Sequence, residues 1–313
     1  MVTIVDFEGA ELSDRFYAGD AGRKVGVVWH GVDWMLKYPG PTRHLEGSVP
    51  SYTSAPLSEF LGSHVYALLG IPVHETLLGI RGGLVCACRD FETDDRHLVE
   101  FRSLKNSLSD DEPGFTEAPS SGRSVVLADV RSALHRIPLL DRIAGVTKRF
   151  WDMFVTDAFI RNVDRNNTNW GILTGGGKPE LAPVYDNGSS FFNKRTEKAI
   201  AARLKDPDLL RQDALDVRSC YVDDRGKPIS PLKYMTSGQD KECSKALERF
   251  MQRWEPAKFD ALLDAVPTQS MGVSIMSDEY HEYHRLVLSV RYQHAFIPAW
   301  NAVKTTLENR TND

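Results

Sequence analysis

The change of hydrophobic period along the chain constrains its fold more than any other feature. Up to residue 90 the apolar residues come in short β-rich runs. These are Val25-Gly26-Val27-Val28-Trp29, Asp33-Trp34-Met35-Leu36-Lys37, residues 73–79 and residues 83–87. Runs of this length bounded by turn residues predict strands, with His30-Gly31-Val32 as a hairpin connection. One segment breaks the pattern: Phe60, Leu61, His64, Val65 and Leu68 line one face of a helix that Gly70-Ile71-Pro72 ends. Later the period lengthens. Ile143, Val146, Phe150, Phe154 and Ala158 step by three and four, predicting a long helix over residues 141–163. Residues 170–173 and 181–185 form a strand-like pair around Thr174-Gly175-Gly176-Gly177, and residues 240–310 are mostly helical by pattern. Residues 103–125, rich in Ser, Asp, Glu, Pro and Gly, predict a mobile loop. The expected plan is α+β and bilobal: a small strand-rich N-lobe with one helix over residues 1–90, then a larger helical C-lobe over 91–313.

Charge and cysteine content narrow the function classes. A net charge of -5 over 313 residues argues against a uniformly basic surface, so no direct nucleic-acid binding is expected. No apolar run approaches the ~18 residues of a membrane span. The acidic start with Asp6, Glu8 and Glu11 is not a signal-peptide pattern. Cys86, Cys88, Cys220 and Cys243 are too few for a disulfide scaffold and contain no Cys-x-x-Cys. Cys86 and Cys88 share a strand face as small core residues. A reduced, cytoplasmic protein without a membrane partner is expected.

The stretch most informative for chemistry is Asn162-Val163-Asp164-Arg165-Asn166-Asn167-Thr168-Asn169-Trp170-Gly171. Asp164 and Asn169 stand five apart, the D-x-x-x-x-N spacing of a phosphotransfer loop. A carboxylate at its start can accept or orient a hydroxyl proton, and an amide oxygen at its end is a hard ligand for Mg²⁺. Asx turns in an ordinary loop use the same letters. Asp186-Asn187-Gly188 then ends the next apolar run, where a second metal-binding Asp followed at +2 by Gly belongs. Alone it also reads as a plain turn.

Three further pieces lie upstream in matching order. Tyr17-Ala18-Gly19-Asp20-Ala21-Gly22-Arg23-Lys24 is a glycine-containing turn whose N–H groups can cradle phosphate oxygens. Lys37 ends an apolar run, placed to reach a phosphate or to snorkel into solvent. Glu59 lies on the one helix of the first lobe, suited to pair with Lys37. The run Val85-Cys86-Ala87-Cys88-Arg89-Asp90-Phe91 is the candidate connection for an adenine ring.

Trp34-Met35-Leu36-Lys37-Tyr38-Pro39, Ser58-Glu59-Phe60-Leu61-Gly62, the Asp164 loop and Ala182-Pro183-Val184-Tyr185-Asp186-Asn187-Gly188 together resemble the HipA-like serine/threonine kinases, especially the short CtkA-type members. The resemblance covers residues 15–200. It implies an ATP- and Mg²⁺-dependent protein kinase that also phosphorylates itself. Asp164 would be the catalytic residue, and Asn169 and Asp186 the metal ligands. Lys37 would bind phosphate, Gly19, Asp20, Ala21, Gly22 and Lys24 the phosphate loop, and Cys88 and Asp90 the hinge. Glu59, Asn166 and Tyr185 complete the implied nucleotide set. Protein substrates with Ser or Thr acceptors follow, as does the family's DNA-binding antitoxin-like partner. Longer members carry an added N-terminal subdomain for that partnership, whereas this sequence starts close to the phosphate loop. Where HipA-type members carry a regulatory serine, this sequence has Tyr17. The same spacing also serves small-molecule and lipid kinases, and a nucleotide-binding regulatory module without turnover could carry the same residues.

Two remaining features have plainer readings. His281-Glu282-Tyr283-His284 has two histidines three apart but no third ligand, so a solvated helix face is expected. Asp110, Asp111 and Glu112 are too few for an interaction tail.

Overall fold

The computed structural model describes residues 1–17, 23–43, 50–108 and 125–311, with side chains through residue 304. In chain order the elements begin with β1 (Val5–Asp6), β2 (Glu11–Leu12), β3 (Lys24–Trp29), β4 (Val32–Lys37), α1 (Ala55–Leu68), β5 (Thr76–Ile80) and β6 (Leu84–Arg89). They continue with β7 (His97–Glu100), α2 (Phe101–Asn106), β8 (Val125–Val126), α3 (Leu127–Arg136), α4 (Pro138–Asp141), α5 (Val146–Ile160), β9 (Gly171–Thr174) and β10 (Glu180–Leu181). The remainder is α6 (Glu197–Leu204), α7 (Pro207–Leu215), β11 (Tyr221–Val222), α8 (Pro231–Ser237), α9 (Lys241–Arg253), α10 (Pro256–Ala265), β12 (Gln269–Ser270), β13 (Val273–Ser274), α11 (Asp278–Arg291), a π-turn and α12 (Ile297–Thr311).

Two compact units interleave along the sequence. The first contains Met1–Asp90, Asn187–Asp216 and Arg253–His294; the second contains Phe91–Asp186, Val217–Gln252 and Ala295–Asp313. The first unit therefore carries four helices besides α1, drawn from segments that the residue ranges of the two-lobe plan assign elsewhere.

In the first unit the sheet order is β1-β5-β6-β4-β3-β2. The β3–β4 turn is His30-Gly31, with φ of 50° and 72°, the positive pair that matches the twist of a two-residue hairpin. Val32, expected in the turn, already belongs to β4. Alternate residues of the central strands serve opposite faces. Phe7, Val27, Trp34, Leu36, Val85 and Ala87 pack as a core on one face. Lys37 stands opposite Cys86 and Met35 opposite Cys88 on the other, where α1 lies. With both faces covered, β6 reads Leu-Val-Cys-Ala-Cys rather than alternating apolar and polar. Pro56 opens α1, and Gly70, at φ 65°, closes it. The Gly70 N–H bonds Ala67 O and the Ile71 N–H bonds Tyr66 O, a Schellman stop.

Two consecutive aromatics in the same unit, Phe191 and Phe192, sit at φ 52° and 51°, a conformation side chains seldom adopt. Packing holds them there: Phe191 is stacked parallel to Phe259, and the Arg195 guanidinium lies 4.4 Å over the Phe192 ring. On α11, Tyr280, Tyr283, His284, Val287, Leu288 and Arg291 form a buried stripe. The histidine pair is therefore split. His281 bonds Asp264 at 2.8 Å, whereas His284 is 1% exposed in the core and not on a solvated face.

The second unit centres on α5, which is shorter than the 141–163 span expected. Gly145 precedes it at φ 81°, and Arg161 ends it at φ 56°. The helix is buried nearly all round, Asp152, Thr156 and Asp157 included. Phe150 meets Trp170, which stacks on Phe101 at 4.0 Å. A small sheet, β10-β9-β7, lies beside it. Gly171 is required there, because a Cβ would fall 2.2 Å from Val99 O. The second expected strand, 181–185, is reduced to Glu180–Leu181. The expected loop 103–125 begins inside α2, and its residues 109–124 lie outside the described residues. All four cysteines are buried and free.

His284 yields a pH prediction. Neither ring nitrogen has a hydrogen-bond partner among the described residues. Burial, then the charges of Arg291 and Arg195, push the imidazole down to about 3 from 6.5. A folded pKa below the unfolded one means the unfolded chain takes up the proton first. The native advantage is complete above pH 6.5 and drains away as pH falls towards about 3. Between pH 7.5 and pH 5, His284→Leu should lose less stability than wild type, by on the order of 2 kcal/mol. Urea midpoints at the two pH values measure this. Equal losses in both proteins would show that His284 is not a source of the acid sensitivity.

Candidate functional site

Glu59, on α1, is fully buried and belongs to the first unit. Lys37 Nζ lies 2.8 Å from its Oε2; His74 Nε2 and the Asn187 N–H each lie 3.0 Å from its Oε1. The expected Lys37–Glu59 pair is thus present. Burial alone would raise the Glu59 carboxyl, but the Lys37 ammonium and then His74 hold it well below the usual carboxylate range. Glu59, His74 and Cys88 also bring oxygen, nitrogen and sulfur within 4.8 Å of one another. The carboxylate oxygens already accept three hydrogen bonds, which accounts for the grouping as an ion-pair hub.

Lys24 stands directly across the β3–β4 ladder from Lys37. Two lysines opposed on one face repel, an arrangement suited to a shared anion. Gly19, Asp20, Ala21 and Gly22, expected to complete this phosphate loop, lie outside the described residues. Just before them, Tyr17 Oη donates to Asp90 Oδ2 at 2.7 Å and Arg15 reaches the same oxygen at 3.2 Å. Burial and then Asp90 push the Tyr17 phenol far up, so it remains a donor. The Asp90 N–H bonds Asp33 O, and Cys88 is flanked in the sheet by Met35 and Thr76. The two expected hinge residues thus also secure the sheet and the segment that carries Arg15 and Tyr17.

In the second unit Arg161, left-handed, turns the chain out of α5 into the loop of Asp164. Asn162 Oδ1 accepts the Asp164 N–H at 3.2 Å, and Asn166 Nδ2 donates to Asp164 Oδ1 at 2.9 Å. Asn169 Nδ2 donates to Asp164 O at 2.6 Å. With its nitrogen committed to a carbonyl, the Asn169 amide has its oxygen on the other side, where it accepts from Thr168 Oγ1 at 3.1 Å and keeps a second lone pair. Asp164, Asn166 and Asn169 are therefore brought together. Tyr185 Oη reaches Thr168 O at 2.9 Å, joining the segment before Asp186 to the same loop. Asp186 is at φ 59°, a left-handed conformation rare outside glycine and tolerated best by Asp and Asn.

Arg165 and Asp157 were not among the residues singled out from sequence. Arg165, 1% exposed, holds Asp157 with a two-pronged contact, Nε to Oδ2 at 2.9 Å and Nη2 to Oδ1 at 3.2 Å. Its Nη1 bonds Asn169 O at 2.8 Å and also Tyr185 O. One guanidinium thus ties the backbone at Asn169 to the backbone entering Asp186. The available signal was Asp157 itself, a carboxylate flanked by the apolar residues Phe154, Val155, Ala158 and Phe159. His74, Ser63 and Asn187 carried no spacing signal at all.

Arg165→Gln would leave Asp157 buried without the guanidinium's charge, although Asn162 Nδ2 still donates to it at 3.1 Å. The cost should be about 3–5 kcal/mol. Arg165→Lys should recover only part of this, because an ammonium cannot reproduce the fork. Denaturant unfolding measures both. A loss below ~1 kcal/mol for Arg165→Gln would show that the pair does not hold the loop.

No protein-family model matches the sequence. The chain is 31% identical over 294 residues to the serine/threonine-protein kinase CtkA of Helicobacter pylori, spanning 92% of this chain and 85% of that protein. The crystal structure of a Helicobacter pylori proinflammatory kinase CtkA matches with a TM-score of 0.84 and 27% identity, over 97% of this chain and 99% of the other. HipA in a Shewanella oneidensis complex with HipB and operator DNA shares the fold at a TM-score of 0.53 and 12% identity, over 92% of this chain and 67% of that one. Identity along nearly the whole chain, on a matching α+β fold, makes this protein a member of the HipA-like serine/threonine kinase family, of the CtkA type.

Proposed function

We propose that the chain transfers the γ-phosphoryl group of ATP to Ser and Thr hydroxyls of cytoplasmic proteins, itself included. The observation that carries this reading is the Lys37–Glu59 pair at 2.8 Å, with Lys24 across the ladder. A buried carboxylate holds one lysine at a set position while the other adds positive charge, which suits the phosphates of a nucleotide. The oxygens of Asn169 and Asp186 are a hard donor set that fits Mg²⁺ and not a soft metal. When bound, Mg²⁺ would neutralise charge on the phosphates. Asp164, fixed by Asn162 and Asn166, accepts or orients the acceptor hydroxyl proton. Cys88 and Asp90 take the adenine side, and Gly19, Asp20, Ala21 and Gly22 cover the phosphates. The division into a nucleotide-binding lobe over residues 1–90 and an acceptor lobe over 91–313 belongs to the same proposal, as does a DNA-binding antitoxin-like partner.

Transfer from γ-labelled ATP with Mg²⁺, to the protein itself and to a lysate, tests the reading. Asp164→Asn should lower transfer by about 10²–10⁴-fold. Asp186→Asn, which tolerates the left-handed backbone, should lower it at least as far. Both should keep a cooperative melt within a few degrees of wild type, because neither residue is in the core. Label moving only to metabolites or lipids would replace the protein acceptor. Label transfer undiminished in Asp186→Asn would sink the metal assignment.

A further inference from the structure

Asn187, directly after Asp186, is completely buried, which is unusual for an amide side chain. Its backbone N–H donates to Glu59 Oε1 at 3.0 Å, and its Nδ2 donates to Ser63 Oγ at 3.0 Å. Ser63 Oγ lies 3.2 Å from His74 Nε2, itself 3.0 Å from Glu59 Oε1. A carboxylate can only accept, so Nε2 carries the hydrogen, and the four groups close a ring. The Asn187 carbonyl is held as well, accepting from Ser190 Oγ at 2.6 Å. Glu59, Gly62 and Ser63 are spaced i, i+3, i+4 on one face of α1.

Gly62 leaves room for this arrangement. A Cβ there would lie 2.8 Å from Asn187 Cβ and 3.2 Å from Ser190 Oγ. Gly188 is also hemmed in: a Cβ on it would be 3.1 Å from Glu59 Oε2. Glycine is a poor choice for a helix interior, and Gly62 stands eight positions into α1. The notch it leaves is filled by Asn187.

We propose that Asn187 is a positioning residue for metal-nucleotide binding: it plugs a notch in α1 formed by Glu59, Gly62 and Ser63 and fixes the peptide that follows Asp186. Glu59 thereby sets two things at once, the Lys37 ammonium and the chain leaving the metal-binding Asp186. The inference rests on the kinase reading for the role of Asp186.

The test is calorimetric titration of the full chain with ATP, once in excess Mg²⁺ and once in EDTA. The proteins are wild type, Gly62→Ala, Asn187→Gly and the double variant. The quantity read is the gain in affinity that Mg²⁺ confers. Gly62→Ala should lose about tenfold of that gain, the scale of supporting-shell changes at metal sites, while the EDTA affinity stays within about twofold. In the Asn187→Gly background, which has no Cβ to strike, adding Gly62→Ala should change the gain by less than about twofold. A merely structural plug predicts otherwise: the Cβ clash would lower the melting temperature of Gly62→Ala and leave the metal gain intact. That result, or two losses that multiply in the double variant, overturns the proposal. So does a wild type whose ATP affinity is indifferent to Mg²⁺. If Gly62→Ala does not fold, Ser63→Ala decides, with a loss of roughly threefold expected and no loss overturning it. A wild type that binds MgATP without transferring phosphate would remove the kinase reading and still leave the plug decided by binding.

Discussion

The first unit depends on one buried carboxylate. An ion removed from water costs several kcal/mol unless well-placed donors replace the solvent. Glu59 has such donors on both oxygens, from β4, from the segment before β5 and from Asn187. Each donor comes from a separate part of the chain, so the carboxylate penalises any displacement of one part from another. This gives a physical reason for the sheet, α1 and the Asn187 segment to share one compact unit.

The second unit applies the same principle with the opposite sign. There the buried ion is the Arg165 guanidinium, paired with Asp157 and spending its other prong on two carbonyls. A planar fork suits this task, because it addresses a carboxylate and two backbone oxygens in fixed directions. Asp164 is thereby spared a structural burden. Its backbone is set by Asn162 and the amide of Asn169, and one carboxylate oxygen by Asn166.

The sequence revealed most where local rules dominate. The β3–β4 hairpin, α1 and its glycine stop, and the run from Asp164 to Asp186 follow from period, turn chemistry and spacing within a few residues of where they occur. The Lys37–Glu59 pair was legible because a strand-end lysine and the one early helix leave few alternatives. Distant packing was not legible. Nothing local in residues 187–216 or 253–294 announces that they join the first ninety residues, since that choice is made by matching surfaces. The helix expected over 141–163 shows a smaller failure of the same kind: the apolar stepping began at Ile143, before Gly145, and the left-handed backbones of Gly145 and Arg161 bound the element more tightly. His284 was readable in principle. The stripe Tyr280, Tyr283, Val287 and Leu288 includes it, so the apolar periodicity of α11 places His284 in the core where the three-residue histidine spacing does not.

Asp186 shows why both buried ions matter to one residue. Its left-handed backbone costs energy for any residue with a Cβ, and such strain persists only where the flanks over-determine it. The carbonyl before it, on Tyr185, is held by Arg165, and the N–H after it, on Asn187, is held by Glu59. The two peptides adjoining Asp186 are therefore each fixed by a buried charge, one cationic and one anionic. Relaxing Asp186 to a common conformation would rotate at least one of those peptides away from its ion. The left-handed conformation persists because leaving it would break a hydrogen bond to a buried ion, at Tyr185 O or at the Asn187 N–H.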